Sequence, residues 1–286
     1  MLFKGRRQSS NIDDLRGSSG RWGIGFKGGI IGTLIMAAII YLLGGDPMSV
    51  LNLSENTQQE TTENVAISAE EAEMTEFVSV VLADTEDVWN KLFQEMGSSY
   101  REPKLVLFRS AINSACGYAE SATGPFYCPG DQKVYIDLDY LETLQRQLGA
   151  EGDFAIAYII AHEVGHHVQN LLGIMEKMDQ VRASGAGENS VNEATVRLEL
   201  QADFLAGVWI HHAQKMKSMM EKGDLEEALN AAVAVGDDRI QMKTQGRVVP
   251  DSFTHGTSAQ RKSWLNKGIQ TGDINQGDTF SSSTIL

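Results

Sequence analysis

Apolar positions in this chain fall into a few blocks whose spacing predicts helices more often than strands. Phe154-Ala155-Ile156-Ala157-Tyr158-Ile159-Ile160-Ala161 runs straight into His162-Glu163-Val164-Gly165-His166, and Leu171 and Leu172 extend the pattern. With Asp153 as N-cap and Gly173 as the residue past its end, this stretch reads as one largely buried helix. A second helical block spans about residues 190–217, with Leu198, Ala202, Leu205, Ala206 and Trp209 on one side. Earlier in the chain, Ser68-Ala69-Glu70-Glu71 is a capping box that opens a helix to about Met96, where Gly97 stops it. Its buried side uses Phe77, Val80, Val81, Val88, Trp89, Leu92 and Phe93. Strand patterns are short and local: Lys104–Phe108, Phe126-Tyr127 and Lys133–Asp137, the last two joined by a turn at Pro129-Gly130-Asp131. Val134 and Ile136 face one way and Tyr135 the other. Residues 224–246 read as a packing helix with a charged face, and 185–189 as a flexible break. The expected fold class is α+β, mainly helical with a small sheet.

The first third of the chain is organised differently. Residues 1–27 carry six basic side chains (Lys4, Arg6, Arg7, Arg16, Arg21, Lys27) against Asp13 and Asp14, and an apolar stretch follows at 28–44. A cleaved signal peptide and an uncleaved anchor both fit this pattern. The long basic region and the lack of a clear small-residue cleavage site favour a transmembrane anchor. The positive-inside rule then puts residues 1–27 in the cytoplasm and the rest in the periplasm or outside the cell, as a single-pass membrane protein. Residues 45–67 are polar enough to read as a flexible linker. The expected catalytic unit is 68–272, with a polar tail at 273–286 that needs no function.

The pattern His162-Glu163-x-x-His166 carries the chemistry. Residues four apart on a helix share a face, so both imidazoles can reach one Zn²⁺ at ~2.0–2.1 Å. Glu163, one step round, is placed to take a proton from a water that the metal activates. A buried helix also needs partners for two histidines and a glutamate, and a metal ion is such a partner. A catalytic zinc takes a third protein ligand and keeps an open position. In the second block Glu199 and Asp203 are again four apart. Glu199 completes the expected ligand set, and Asp203 stands behind it, accepting the free ring N–H of a ligating histidine. His167 points about 100° away from His166 and reads as a flanking polar residue. His211 and His212 read as solvated.

The arrangement resembles the gluzincin peptidases, particularly the membrane-associated ones. The wider sequence is closer to the bacterial neutral zinc metallopeptidase family, through Arg7-Gln8-Ser9-Ser10-Asn11, Gly124-Pro125-Phe126-Tyr127-Cys128-Pro129, the 161–167 motif, residues 199–207 and residues 246–256. The resemblance implies a zincin-like, membrane-tethered peptidase acting on a peptide or protein substrate with Zn²⁺ as cofactor. Thr254-His255 followed by Arg261 is similar to the late His…Arg pair of the membrane-associated type. That likeness implies that His255 stabilises the oxyanion of a tetrahedral intermediate, with Arg261 beside it. A Gly follows His255 where those peptidases usually have Pro. By analogy with zincin folds, the strand Lys133–Asp137 is the expected free edge for an extended substrate.

Net charge is −14 for the chain and +4 for residues 1–27, hence −18 for the remainder. So acidic a domain lacks the basic footprint of a nucleic-acid binder and attracts neutral or basic peptides more readily. Cys116 and Cys128, twelve apart, can pair in an oxidising compartment or serve as metal ligands; the absence of a C-x-x-C pair favours the disulfide. A second class of function stays open: a membrane-tethered binding or chaperone-like module whose zinc is structural and closed by a fourth protein ligand.

Overall fold

The computed structural model describes residues 1–16, 67–120, 123–141 and 152–281. Chain order is β1 (Ile12–Asp14), α1 (Ala69–Glu95), β2 (Lys104–Phe108), β3 (Ala111–Ser114), β4 (Gly117–Glu120), β5 (Phe126–Cys128), β6 (Lys133–Asp137), α2 (Asp153–Leu171), α3 (Met175–Ala183), α4 (Glu188–Lys217), α5 (Asp224–Ala234), α6 (Asp237–Gln245) and α7 (Ser258–Thr271). This is a mainly helical α+β fold with a small sheet. The Ser68/Glu71 capping box opens α1, and every apolar position expected on its inner side is buried. Gly152 rather than Asp153 occupies the N-cap of α2.

The sheet has strand order β1-β2-β6-β5, parallel except for β5 against β6. Alternation sends Leu105, Leu107, Val134 and Ile136 into the helical core. Val106, Phe108, Cys128 and Tyr135 point the other way, into a small second cluster with Ile112 of the β3–β4 hairpin. A disulfide between Cys116 and Cys128 ties that hairpin to β5. The expected edge strand is corrected here. The tight turn after Cys128 lays β5 antiparallel outside β6, while β6 pairs with β2 on its other side. The edges of the sheet are therefore β1 and β5, not β6.

Residues 1–15 belong to the same compact unit as 68–286. β1 pairs with β2 in register Asp13↔Val106. Arg7, Ser9 and Asn11 converge on the buried Glu86 carboxylate of α1, at 2.8, 2.5 and 2.9 Å, while Arg6 meets Asp84 at 2.7 Å. The boundary that set residues 1–27 apart from the domain is thus corrected for residues 1–15, which supply a strand of the domain's own sheet. The expected anchor at 28–44 and linker at 45–67 lie outside the described residues. Among the described residues no helix is long and apolar enough to cross a membrane.

Two further expectations change. Residues 224–246 form two helices, α5 and α6, broken at Gly236, where a Cβ would stand 2.4 Å from the backbone nitrogen of Ser258. The segment after Gly272 is not a loose tail, because Thr279 is fully buried and exchanges hydrogen bonds with Arg197 of α4.

Close helix crossings set the distances that matter. A Cβ at Gly165 would sit 2.9 Å from the Ala202 carbonyl oxygen, so α2 and α4 touch backbone to backbone beside the motif. A Cβ at Gly207 would sit 2.2 Å from the Leu265 carbonyl oxygen, and one at Gly268 2.1 Å from that of Phe204. Glycine at these points lets α7 lie against α4 and carries Arg261 to Asp203.

Candidate metal centre and cleft

His162 and His166 stand one helical turn apart on α2, and Glu199 reaches them from α4. Nε2 of His162 lies 3.1 Å from one Glu199 carboxylate oxygen, and Nε2 of His166 lies 3.4 Å from the other. All three donors fall within 4.8 Å of one another, and among the described residues no fourth His, Cys, Asp or Glu joins this group. Donors held ~2.0–2.2 Å from one tetrahedral ion stand roughly 3.4 Å apart, so the trio has the spacing and chemistry of a zinc ligand set.

Electrostatics supports the same reading. Burial works against protonation of His162, but the charge and hydrogen bond of Asp203, with Glu199, outweigh it and raise the pKa to about 10. His166 is likewise raised by Glu199 against burial. Burial alone would lift the Glu199 carboxyl; the two imidazoles hold it well below the usual carboxylate range. The pocket thus calls for positive charge between these three groups, which is what a divalent cation supplies.

Each imidazole is held from behind. Asp203, fully buried on α4, takes Nδ1 of His162 at 2.8 Å. It also accepts from the Tyr158 hydroxyl at 2.5 Å and from Arg261 at 2.8 and 3.0 Å. Nδ1 of His166 meets Gln169 at 2.8 Å. Arg261 sits beside His162, with its guanidinium engaged by Asp203, the Tyr158 hydroxyl and the Val235 carbonyl. It steadies Asp203 from the wall of the cleft.

Glu163 is buried at the floor of the cleft. Burial raises its pKa, the two imidazoles oppose that rise, and the backbone N–H of Tyr127 on edge strand β5 donates to its carboxylate. The Tyr127 hydroxyl lies 3.0 Å from both Nδ1 of His167 and the amide of Asn170. His167 is therefore no bystander. It is fully buried, its other nitrogen meets the Arg101 carbonyl at 2.6 Å, and burial lowers its pKa to about 4, so it is neutral. His211 and His212 are also not free in solvent, each meeting a backbone carbonyl at 2.9 Å (Ile269 and Gly272) near the end of α7.

A cavity of about 430 Å³ opens over this set, with His162, Glu163, His166, Glu199 and His255 in its wall together with apolar and aromatic groups such as Phe126, Tyr140, Ile159, Val235 and Ile240. His255 arrives from the loop before α7. Asp237 holds it there, accepting the backbone N–H groups of Thr254, His255 and Gly256 at 2.6–3.0 Å and lying 3.2 Å from Nδ1 of His255. Nε2 of His255 is left for the cleft. Sequence reading missed Asp237, Tyr158 and Gln169. Tyr158, at i−4 from His162, and Gln169, at i+3 from His166, were within reach of helical periodicity; Asp237 carried no local signal.

Residues 1–280 match the family model described as "Putative neutral zinc metallopeptidase". The uncharacterized protein YpfJ of Escherichia coli K12 is 50% identical over 291 residues, covering 99% of this chain and 100% of that protein. An uncharacterized protein of Mycobacterium tuberculosis H37Rv is 39% identical over 260 residues, covering 85% of this chain and 86% of its own length. No solved structure matches.

Proposed function

The chain belongs to the neutral zinc metallopeptidase family, a description that implies Zn²⁺, and on that premise we propose that it hydrolyses peptide bonds with His162, His166 and Glu199 holding the metal. The observation that carries this reading is the convergence of those three side chains at the floor of an open cleft, with a second carboxyl, the buried Glu163, beside them. When bound, Zn²⁺ supplies Lewis-acid polarisation of the scissile carbonyl and lowers the pKa of water.

The protein's own groups do the rest. Glu163, with its pKa raised by burial, takes the proton of the attacking water and returns it to the leaving amine. The Tyr127 N–H keeps its carboxylate aimed. Asp203 fixes His162 as the Nδ1–H tautomer, so that Nε2 presents its lone pair. Nε2 of His255, steadied by Asp237, is the donor for negative charge developing on the substrate oxygen, a role worth a few kcal/mol. The Cys116–Cys128 bond supports action in an oxidising compartment. Membrane attachment through residues 28–44 belongs to this reading as an association that does not cross the bilayer once, because residues 1–15 pair in the catalytic domain's own sheet.

The test is Glu163→Gln. The purified variant should keep wild-type zinc content and lose peptide cleavage by about 10³-fold or more, at the upper part of what a general base contributes. Cleavage at the wild-type rate by zinc-loaded Glu163→Gln would remove the base from the mechanism.

A further inference from the structure

Two imidazoles serve the trio, yet they are held by different chemistry. Behind His162 stands a carboxylate; behind His166 stands a neutral amide, Gln169, which is fully buried. The direction of every bond behind that amide can be worked out from carbonyl groups that only accept. Nε2 of Gln169 donates to the Leu198 carbonyl at 2.7 Å and to Oε1 of Gln201 at 3.0 Å. Both of its hydrogens are then used, and its own Oε1 is left as acceptor for Nδ1–H of His166. Gln201, also buried, donates through Nε2 to the carbonyl of Gly277 at 2.8 Å, which leaves its oxygen free for Gln169.

The far end of this run is fixed as well. Arg197 donates to the Thr279 carbonyl and the Thr279 hydroxyl donates to the Arg197 carbonyl, each at 2.6 Å. A Cβ at Gly277 would stand 2.4 Å from the Phe204 ring, so only glycine lets the chain lie this close to α4.

We infer that Gln169, Gln201 and the Gly277 carbonyl form a one-way hydrogen-bond relay that positions His166, which makes the C-terminal segment around 277–279 a working part of the metal centre. This inference rests on the proposed ligand role of His166. The relay locks His166 as the Nδ1–H tautomer and aims its Nε2 lone pair at the trio. Were the amides reversed, donor would face donor at His166 and oxygen would face oxygen at Gly277. The carbonyls at both ends forbid that arrangement.

The experiment is zinc affinity of the full-length protein, measured by competition with a chromophoric chelator for Zn²⁺ alone. Partners behind a metal ligand change affinity by about 10–100-fold when removed, so Gln169→Leu and Gln201→Leu should each weaken zinc binding by at least tenfold. Gly277→Ala, which touches no ligand and pushes the segment off Phe204, should weaken it by about threefold to tenfold at an unchanged far-ultraviolet circular dichroism spectrum. A fold-only role would leave the Nδ1–H signal of His166 unchanged in ¹⁵N-labelled, zinc-loaded protein, whereas the relay requires that this proton shift and exchange faster with solvent in Gln201→Leu and Gly277→Ala. If the leucine variants do not fold, Gly277→Ala decides. Wild-type affinity, within twofold, in Gly277→Ala overturns the relay, and so does an unshifted Nδ1–H signal there. Failure of the peptidase reading is separate: it shows as wild-type protein that does not bind zinc, or as active Glu163→Gln.

Discussion

Asp203→Asn is the most informative single change in the molecule. The native carboxylate is fully buried and lies within hydrogen-bonding distance of Nδ1 of His162, the Tyr158 hydroxyl and two nitrogens of Arg261. Neutralising it strands Arg261, itself 3% exposed, without its counter-charge. Removing one partner of a buried pair costs about 3–5 kcal/mol. In a domain of this size each kcal/mol lowers the melting midpoint by about 2–4 °C, so the metal-free variant should melt about 6–20 °C below wild type. Zinc affinity should fall by about 10–100-fold through the loosened hold on His162. Adding Arg261→Met separates the two effects: stability should partly return, because the stranded charge is gone, while zinc affinity stays low. Acid titration gives an independent check. Burial pushes the Asp203 carboxyl up, but Arg261 and His162 outweigh it and hold it at about 2. A carboxylate depressed below its unfolded value of ~3.9 contributes its stability above that pH, and the contribution is lost as pH falls towards about 2. Metal-free wild type should therefore lose stability between about pH 4 and pH 2, and Asp203→Asn should lack that component. A midpoint within 2 °C of wild type for Asp203→Asn, as the smallest shift that calorimetry resolves well against the ~6 °C expected, would refute the reasoning.

Three other outcomes are expected. Asp237→Asn should lower kcat by about tenfold with zinc content unchanged, because His255 loses its orienting partner; equal loss of zinc would mean that the loop serves the metal instead. Gly207→Ala should destabilise the protein by about 1–3 kcal/mol or more, read by denaturant unfolding, since a methyl group there meets the α7 backbone. Single cysteines replacing the exposed Lys4 and Lys222 should react alike with a membrane-impermeant maleimide in intact cells. Labelling of one alone would put residues 1–15 and the domain on opposite sides of a bilayer.

Much of the site was legible because its elements are local. The H-E-x-x-H turn and the Glu199/Asp203 pair each need only helical spacing, and the buried faces of α1, α2 and α4 follow from the same period. What stayed hidden depends on long-range pairing. β1 sits in a basic stretch ahead of an apolar one, a pattern that points to a membrane leader and masks a strand whose partner lies more than 90 residues away. The β3–β4 hairpin has a single buried position, Ala119, so alternation gives little signal. Asp237 opens α6 and meets His255 eighteen positions further along the chain. Nothing in the composition of that stretch marks an acid that will collect three backbone N–H groups. The polar C-terminal segment looked dispensable for a related reason: its contacts with α4 run through backbone carbonyls, and those have no residue type to read.

The packing of the first fifteen residues also bears on how a soluble form is prepared. A fragment beginning at Ser68 would discard one strand and uncover Glu86, whose carboxylate is 2% exposed and is met by Arg7, Ser9 and Asn11. Such a fragment should aggregate or melt early. Excising residues 17–66 and splicing in a short flexible connector would keep those three side chains in place and still dispense with the oily stretch.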